Sequence, residues 1–358
     1  MNFAFSEEQE LLRSTAREFL ASKAPMTSVR ALMDDPRGFD PGLYAQMAEL
    51  GWLGLLLPEE YGGAGLCLVD EVVVAEELGR ALTPSPFFAT FQGSLAVLHG
   101  GTETQKKELL PDAAAGRKIL SFAITEESGS EDADELATRA EKRGAGFSLS
   151  GTKLFVPDGQ NADVLVVAAR NSGPGEDGIS LFLVERGAPG LSTVPLLSLD
   201  QTRRIAEVRL ESTPAQLLGA PGSGWATWRA LRNHALVHLS AEAVGGSQKV
   251  LEDSVKYAKE RVQFGKPIGV NQAIKHKCAD MLIQVESSKS ITYYAAWAVA
   301  ENTDEAELAA SMAKAYTADA YRATSAENIQ IHGGVGFTWE YDCHLYFKRA
   351  KALEVTYG

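Results

Sequence analysis

Cysteine is scarce in this 358-residue chain: Cys67, Cys278 and Cys343 are the only three, scattered and without CxxC spacing. That excludes a disulfide framework, argues against a thiolate metal site and leaves core or surface thiols. Long apolar runs are missing too. Although 45% of the residues are apolar, no stretch approaches the roughly 18 uninterrupted apolar residues of a membrane span. The first residues, MNFAFSEEQELLRSTAREFL, lack the basic-then-apolar order of a signal or transit peptide. The expectation is a cytoplasmic protein with no membrane partner. Basic residues are outnumbered, 34 Lys and Arg against 47 Asp and Glu, giving a formal charge of -13. Nucleic acid is therefore not an expected partner, since affinity for phosphate backbones comes largely from Lys and Arg displacing counterions.

Familiar catalytic and nucleotide-binding signatures are absent as well. There is no GxGxxG after a strand, no GxxxxGK[ST], no GxSxG and no HExxH, and neither an internal repeat nor a low-complexity segment. Of the six histidines only His234 and His238 have helical i,i+4 spacing. With no carboxylate or cysteine of matching phase in view, they read as partly exposed helix residues, and no metal is expected.

What is present falls into three parts. Ser6 and Gln9 have capping-box spacing, and Leu11, Leu12, Ala16, Phe19 and Leu20 recur on one helical face. Further helical stretches around 42–50, 68–81 and 103–115 make residues 1–118 an all-helical N-terminal domain. From residue 119, ILSFAITE, GFSLSGTKLFV, ADVLVVAAR, ISLFLVE and IAEVRL are short apolar or alternating runs between Gly, Pro, Asn and Asp clusters. With no helix between them, they predict a central antiparallel β barrel or sandwich over 119–218. Residues 219–358 return to helix, with long apolar stripes over 226–262, 271–301 and 304–331 that predict a four-helix-bundle-like C-terminal domain. The fold class is thus α+β and multidomain.

Three stretches could carry chemistry. In YAKERVQFGKPIGVNQAIKH (257–276), Gly265 reads as a helix C′ residue, Pro267 as a stop and Gln272 as the opening of the next helix. Arg261 and Phe264 are then either an ordinary cationic helix end and a packing contact, or a guanidinium fork offered to a phosphate. In ENIQIHGGVGFTWEYDCHLYFKRA (327–350), Gly333, Gly334 and Gly336 are either a capped helix turn or an elbow that lets a ligand approach, with Phe337 and Trp339 beside it. In SFAITEESGSEDADELATRAE (121–141), a strand feeds a loop whose hydroxyls and amides could meet a flavin ring or a phosphate. With Glu126, Glu127, Glu131, Asp132, Asp134 and Glu135 in ten residues, it reads equally as an acidic solvated loop.

These blocks, together with LLPEEYGGAG and the order helices, β domain and long-helix bundle, closely resemble the acyl-CoA dehydrogenase family over essentially the whole chain. The resemblance implies FAD as cofactor, held between the β domain and the bundle and completed by a neighbouring subunit. It implies an acyl-CoA substrate in a pocket lined by the first helical third and the bundle, and electron-transfer flavoprotein as acceptor. In the family a carboxylate takes the α-proton while the β-hydrogen leaves as hydride to the flavin, with hydrogen bonds to the thioester oxygen acidifying the α-carbon. By position, Arg261, Phe264, Gln272, Gln330, Gly333 and Gly334 match residues that hold FAD across the subunit interface.

The half of the flavin site that such a chain provides for itself is altered. TEESGSED keeps Thr125 of the TExxxGSD pattern but sets Gly129 and Ser130 one place out of register. In LFVPD, Phe155 stands where an aromatic is usual, and Pro157, which has no N–H, replaces the residue that serves the ring. Tyr357 occupies the position of the family's usual glutamate base, Ala235 its alternative position on the first bundle helix, and Leu236 the place of an arginine that often follows. Neither base position holds a carboxylate, and a tyrosine, with a reference pKa of about 10, is a weak base at neutral pH. No catalytic residue is therefore assigned. The pattern implies a supporting subunit paired with a catalytic paralogue, with α2β2 the expected assembly. Two alternatives stand: a self-sufficient homomeric enzyme with its base elsewhere, Glu242 being a candidate explained equally as a buried helix glutamate or a surface charge, and a flavin-free scaffold of the same fold.

Overall fold

The computed structural model of the chain describes residues 5–130, 132–144 and 146–357. Glu131 of the acidic loop and the terminal Gly358 lie outside them. Ten α-helices are described: α1 (Glu7–Lys23), α2 (Met26–Met33), α3 (Pro41–Glu49), α4 (Leu68–Arg80), α5 (Phe87–Gly100), α6 (Glu103–Ala114), α7 (Gly224–Glu260), α8 (Gln272–Ala300), α9 (Ala306–His332) and α10 (Cys343–Val355). Seven strands precede α7: β1 (Leu120–Ala123), β2 (Arg139–Arg143), β3 (Gly146–Pro157), β4 (Val164–Arg170), β5 (Ile179–Glu185), β6 (Leu191–Pro195) and β7 (Ile205–Leu218). Two short strands, β8 (Val262–Gln263) and β9 (Lys266–Pro267), follow it. The chain gathers into two compact units, one of residues 1–31, 67–83 and 233–358, the other of residues 32–66 and 84–232.

In the second unit the strands form one sheet. β4 pairs with β5, β5 with β7, β7 with β3 and β3 with β2, all antiparallel, and a bridge between Arg139 and Arg170 joins β2 back to β4. The path therefore closes on itself as a small barrel. The expectation of a purely antiparallel sheet is corrected: β1 runs parallel to β4, from Leu120 opposite Val164 to Ala123 opposite Val167, and the bridge from β2 to β4 is parallel. A parallel pairing needs a long crossover, and residues 124–163, which carry the acidic loop and the β2–β3 hairpin, supply it. β4 is buried along its whole length, so its sequence VLVVAAR shows no alternation.

α5, FFATFQGSLAVLHG, is buried from Phe87 through Val97. With no solvent face it has no amphipathic stripe, and the sequence pattern misses it. The eight-residue α2 is missed because it is too short to show a period.

The first unit is helical. Ser6 caps α1 through the expected box: its amide donates to Gln9 Oε1 at 2.9 Å, and the Gln9 amide donates to Ser6 Oγ at 3.2 Å. α8 packs on α9, α9 on α10, and α4 on both α1 and α8. α4 and α7 meet backbone to backbone. A methyl group on Gly79 would lie 2.2 Å from the Glu242 carbonyl oxygen, and one on Gly245 would lie 1.9 Å from that of Glu76. Only glycine permits so close a crossing. Gly246 does the same for the Tyr321 ring of α9, which a methyl would meet at 2.3 Å.

Candidate functional site

One end of the helical unit gathers six of the residues marked in the sequence. The C-terminal end of α7 is held against that of α9: Tyr257 stacks on His332 with ring centres 4.1 Å apart, and Ser254 Oγ donates to Asn328 Oδ1 at 2.9 Å. Lys277 pairs with Glu327, fixing the first turns of α8 against the same end of α9. Arg261 directly follows α7, Gln272 opens α8, Gln330 lies in the last turn of α9, and Gly333 and Gly334 begin the 3-10 turn after it.

Gly265 is not the C′ residue the sequence suggests. The Arg261 amide closes α7 on the Tyr257 carbonyl at 2.8 Å, and β8 and β9 then form a hairpin. Phe264 at φ +54° and Gly265 at φ +78° make its turn, the pair of positive angles that a two-residue type I′ hairpin needs. This hairpin carries Phe264 to 100% exposure. Arg261, Gln272, Gln330, Gly333 and Gly334 are exposed with it, and open space lies beyond both glycines.

Thr125 and Phe155 belong to the other unit. The Thr125 carbonyl accepts from the Leu154 amide at 2.8 Å, and the Pro157 carbonyl accepts from Ser121 Oγ at 2.6 Å. Phe155 sits at φ +55°, next to an irregularity in the β3–β7 register, and is 57% exposed.

The acidic loop is not wholly solvated as its composition suggests, because Glu126 is buried. Its carboxylate accepts from Lys153 Nζ at 2.7 Å, Thr138 Oγ1 at 2.5 Å, and the amides of Thr138 at 3.0 Å and Ala137 at 2.5 Å. Burial opposes its ionisation, but Lys153 and these donors hold it below the usual carboxylate range. Burial draws Lys153 down to about 8, against the pull of Glu126.

Neither base position holds a carboxylate in space or in sequence. Ala235 and Leu236 are fully buried in α7, and Tyr357 is half-buried at φ +57° just beyond α10. Glu242 is no surface charge. It lies 3.3 Å from His238 Nε2 and 4.0 Å from Arg349, and all three side chains are buried. On the other ring nitrogen, His238 Nδ1 meets Glu71 of α4 at 2.6 Å.

His238 is thus corrected from a partly exposed helix residue to a fully buried one between two carboxylates. Burial alone would depress its pKa; the two glutamates override this and raise it to about 9. Glu242 has the phase that the sequence reading found wanting, four residues after His238. Glu71 and Arg349 carry no local signal, being 167 residues before it and 111 after it in the chain. A second buried carboxyl the sequence did not single out is Glu76, which burial raises to about 7 although Arg13 stands 3.2 Å away. Among the described residues no cluster of His, Cys, Asp and Glu is arranged to hold a metal, and no helix is long and apolar enough to cross a membrane.

Comparison with known proteins places this geometry in a family. The acyl-CoA dehydrogenase N-terminal, middle and C-terminal domains match residues 6–117, 121–212 and 222–358. The chain belongs to the acyl-CoA dehydrogenase family. That makes it an oxidoreductase of the acyl-CoA dehydrogenase class, with FAD the cofactor that membership implies. Acyl-CoA dehydrogenase IpdE2 of Mycolicibacterium smegmatis is 34% identical over 96% of this chain and 93% of its own. Among solved structures, a chain in that of the electron transferring flavoprotein of Acidaminococcus fermentans superposes with a TM-score of 0.94 at 31% identity, covering 100% of this chain and 96% of that one. A variant of the Tcur3481–Tcur3483 steroid ACAD superposes with a TM-score of 0.89 at 33% identity, covering 98% of this chain and 94% of that one.

Proposed function

We propose that this chain is the supporting subunit of a heteromeric acyl-CoA dehydrogenase, one that completes the FAD site of a catalytic paralogue without supplying a base of its own. A single contrast carries the reading: six exposed residues at one end of the bundle match the family's set for holding FAD from across an interface, while Ala235 and Tyr357 stand where a base would be. Arg261 offers a planar fork suited to the FAD pyrophosphate, Phe264 a stacking face, Gln272 and Gln330 amides, and the Gly333–Gly334 turn a backbone that a ligand can approach. FAD, when bound, accepts the hydride of the reaction.

The flavin-facing half of this chain fits the cofactor less well, because Pro157 has no N–H to give the ring. The similarity to a steroid ACAD named by two designations supports a paired assembly, for which we favour α2β2, and a substrate from fatty-acid or steroid side-chain degradation. The likeness to a chain from an electron transferring flavoprotein structure supports that class of acceptor, and the reading places the work in the cytoplasm.

The test is to purify the chain alone and co-expressed with a catalytic paralogue, recording flavin absorbance and acyl-CoA-dependent dye reduction. Flavin and turnover only in co-expression are the expected result. A yellow, active chain on its own would establish the homomeric enzyme, and colourless protein in both preparations the scaffold.

A further inference from the structure

His332 ends α9 between Gln330 and the Gly333–Gly334 turn, and open space lies beyond both glycines. Its ring is held by three neighbours. One face stacks on Tyr257 of α7 with ring centres 4.1 Å apart, Tyr341 meets it edge-on at 5.8 Å, and Nδ1 lies 2.8 Å from the Asn328 carbonyl oxygen. Only 8% of the residue is exposed.

A carbonyl oxygen can only accept, so Nδ1 carries a proton and donates it to Asn328. In the neutral ring Nε2 is then a lone-pair acceptor. It has no hydrogen-bond partner among the described residues, yet it is not closed off from solvent. Burial favours this neutral form, holding His332 below the usual histidine range against the Asn328 carbonyl and the charge of Asp253. Asp253, itself paired with Lys249, is the charged group that acts on the ring from α7, and Tyr257 and Tyr341 are its other titratable neighbours. A ring fixed on several sides thus keeps one acceptor free, at the end of the bundle that also carries Arg261, Gly333 and Gly334.

Resting on the supporting-subunit reading, we infer that His332 Nε2 is a further FAD-binding atom, accepting a hydrogen bond from a hydroxyl or amino group of the cofactor. Ionised phosphate oxygens have no proton to give and are repelled by a lone pair, so the pyrophosphate is left to the guanidinium fork of Arg261. The two residues are mechanically joined. Tyr257, which stacks on His332, lies one helical turn before Arg261, and its carbonyl accepts from the Arg261 amide at 2.8 Å. One side chain then answers the charge of the cofactor, and the other its position.

Titrating FAD into the flavin-stripped, co-expressed complex, followed by flavin fluorescence, tests this. His332→Phe keeps an aromatic ring against Tyr257 and removes the acceptor; it is expected to bind FAD roughly five- to tenfold more weakly while the thermal midpoint of the chain alone is unchanged. Arg261→Ala is the control for the underlying reading. Weaker binding in Arg261→Ala with parent affinity in His332→Phe would overturn the His332 assignment alone, since the ring would then only pack. Parent affinity in both variants would overturn the assignment together with the reading it rests on. Should His332→Phe fail to fold, the parent complex decides: its FAD affinity is expected not to rise as pH falls from about 8 to about 6, across the usual histidine range. A rise would show a protonated imidazole holding phosphate and would contradict the proposal.

Discussion

His238 and Lys153 show how single buried charges shape this protein. His238 faces Glu71 from α4, Glu242 from its own helix and Arg349 beyond it, and its folded pKa of about 9 lies above the ordinary value of 6.5. A raised folded value stabilises the native state fully below about pH 6.5, and the contribution fades as pH rises through about 9. The difference corresponds to about 3 kcal/mol. Thermal unfolding across this range should show the midpoint falling on the alkaline side, and the fall should vanish in Glu71→Ala/His238→Ala. Lys153→Met leaves Glu126 buried without its cation and should cost about 3–5 kcal/mol in urea denaturation, most of it recovered in Lys153→Met/Glu126→Gln. Equal losses in the single and double variants would mean the ion pair is not what holds the loop.

Elements divide between those the sequence displays and those it conceals. α1, α8 and α9 were legible because each combines an apolar stripe with a start or stop signal: the Ser6 box, Gln272 after Pro267, and the glycines after His332. α5 was not, since burial on every side erases the period, and the parallel pairing of β1 with β4 has no sequence counterpart because it depends on partners more than 40 residues apart. The β8–β9 hairpin is where the two views differ most usefully. Gly265 signals a backbone with positive φ, but only the structure shows a turn that pushes Phe264 fully into solvent. Phe264→Ala should therefore change the unfolding free energy by no more than about 0.5 kcal/mol while weakening flavin retention in the complex roughly tenfold. A clear stability loss with flavin unchanged would make it a packing residue. Gly245→Ala, by contrast, drives a methyl into the Glu76 carbonyl and should destabilise by about 1–3 kcal/mol or more, as read by chemical denaturation.

At the scale of the whole molecule, the residues proposed to hold FAD are divided unequally. The bundle presents its set outward, with Arg261, Phe264 and the Gly333–Gly334 turn all exposed, whereas the β unit uses the Thr125 and Pro157 carbonyls internally. The residues proposed for this site stand in sequence motifs, which fix the order of residues along the chain. The buried Glu71–His238–Glu242–Arg349 cluster could not be read, because Glu71, His238 and Arg349 come from three separate helices and meet only in the folded chain. The account predicts an assembly in which each pair of subunits shares one flavin, seated on the partner and completed by this chain. Counting FAD per pair of chains in the purified, co-expressed complex, by flavin absorbance against protein mass, tests that most directly. One FAD per pair is the predicted result; two FAD per pair would show that this chain seats a flavin of its own and would contradict the account.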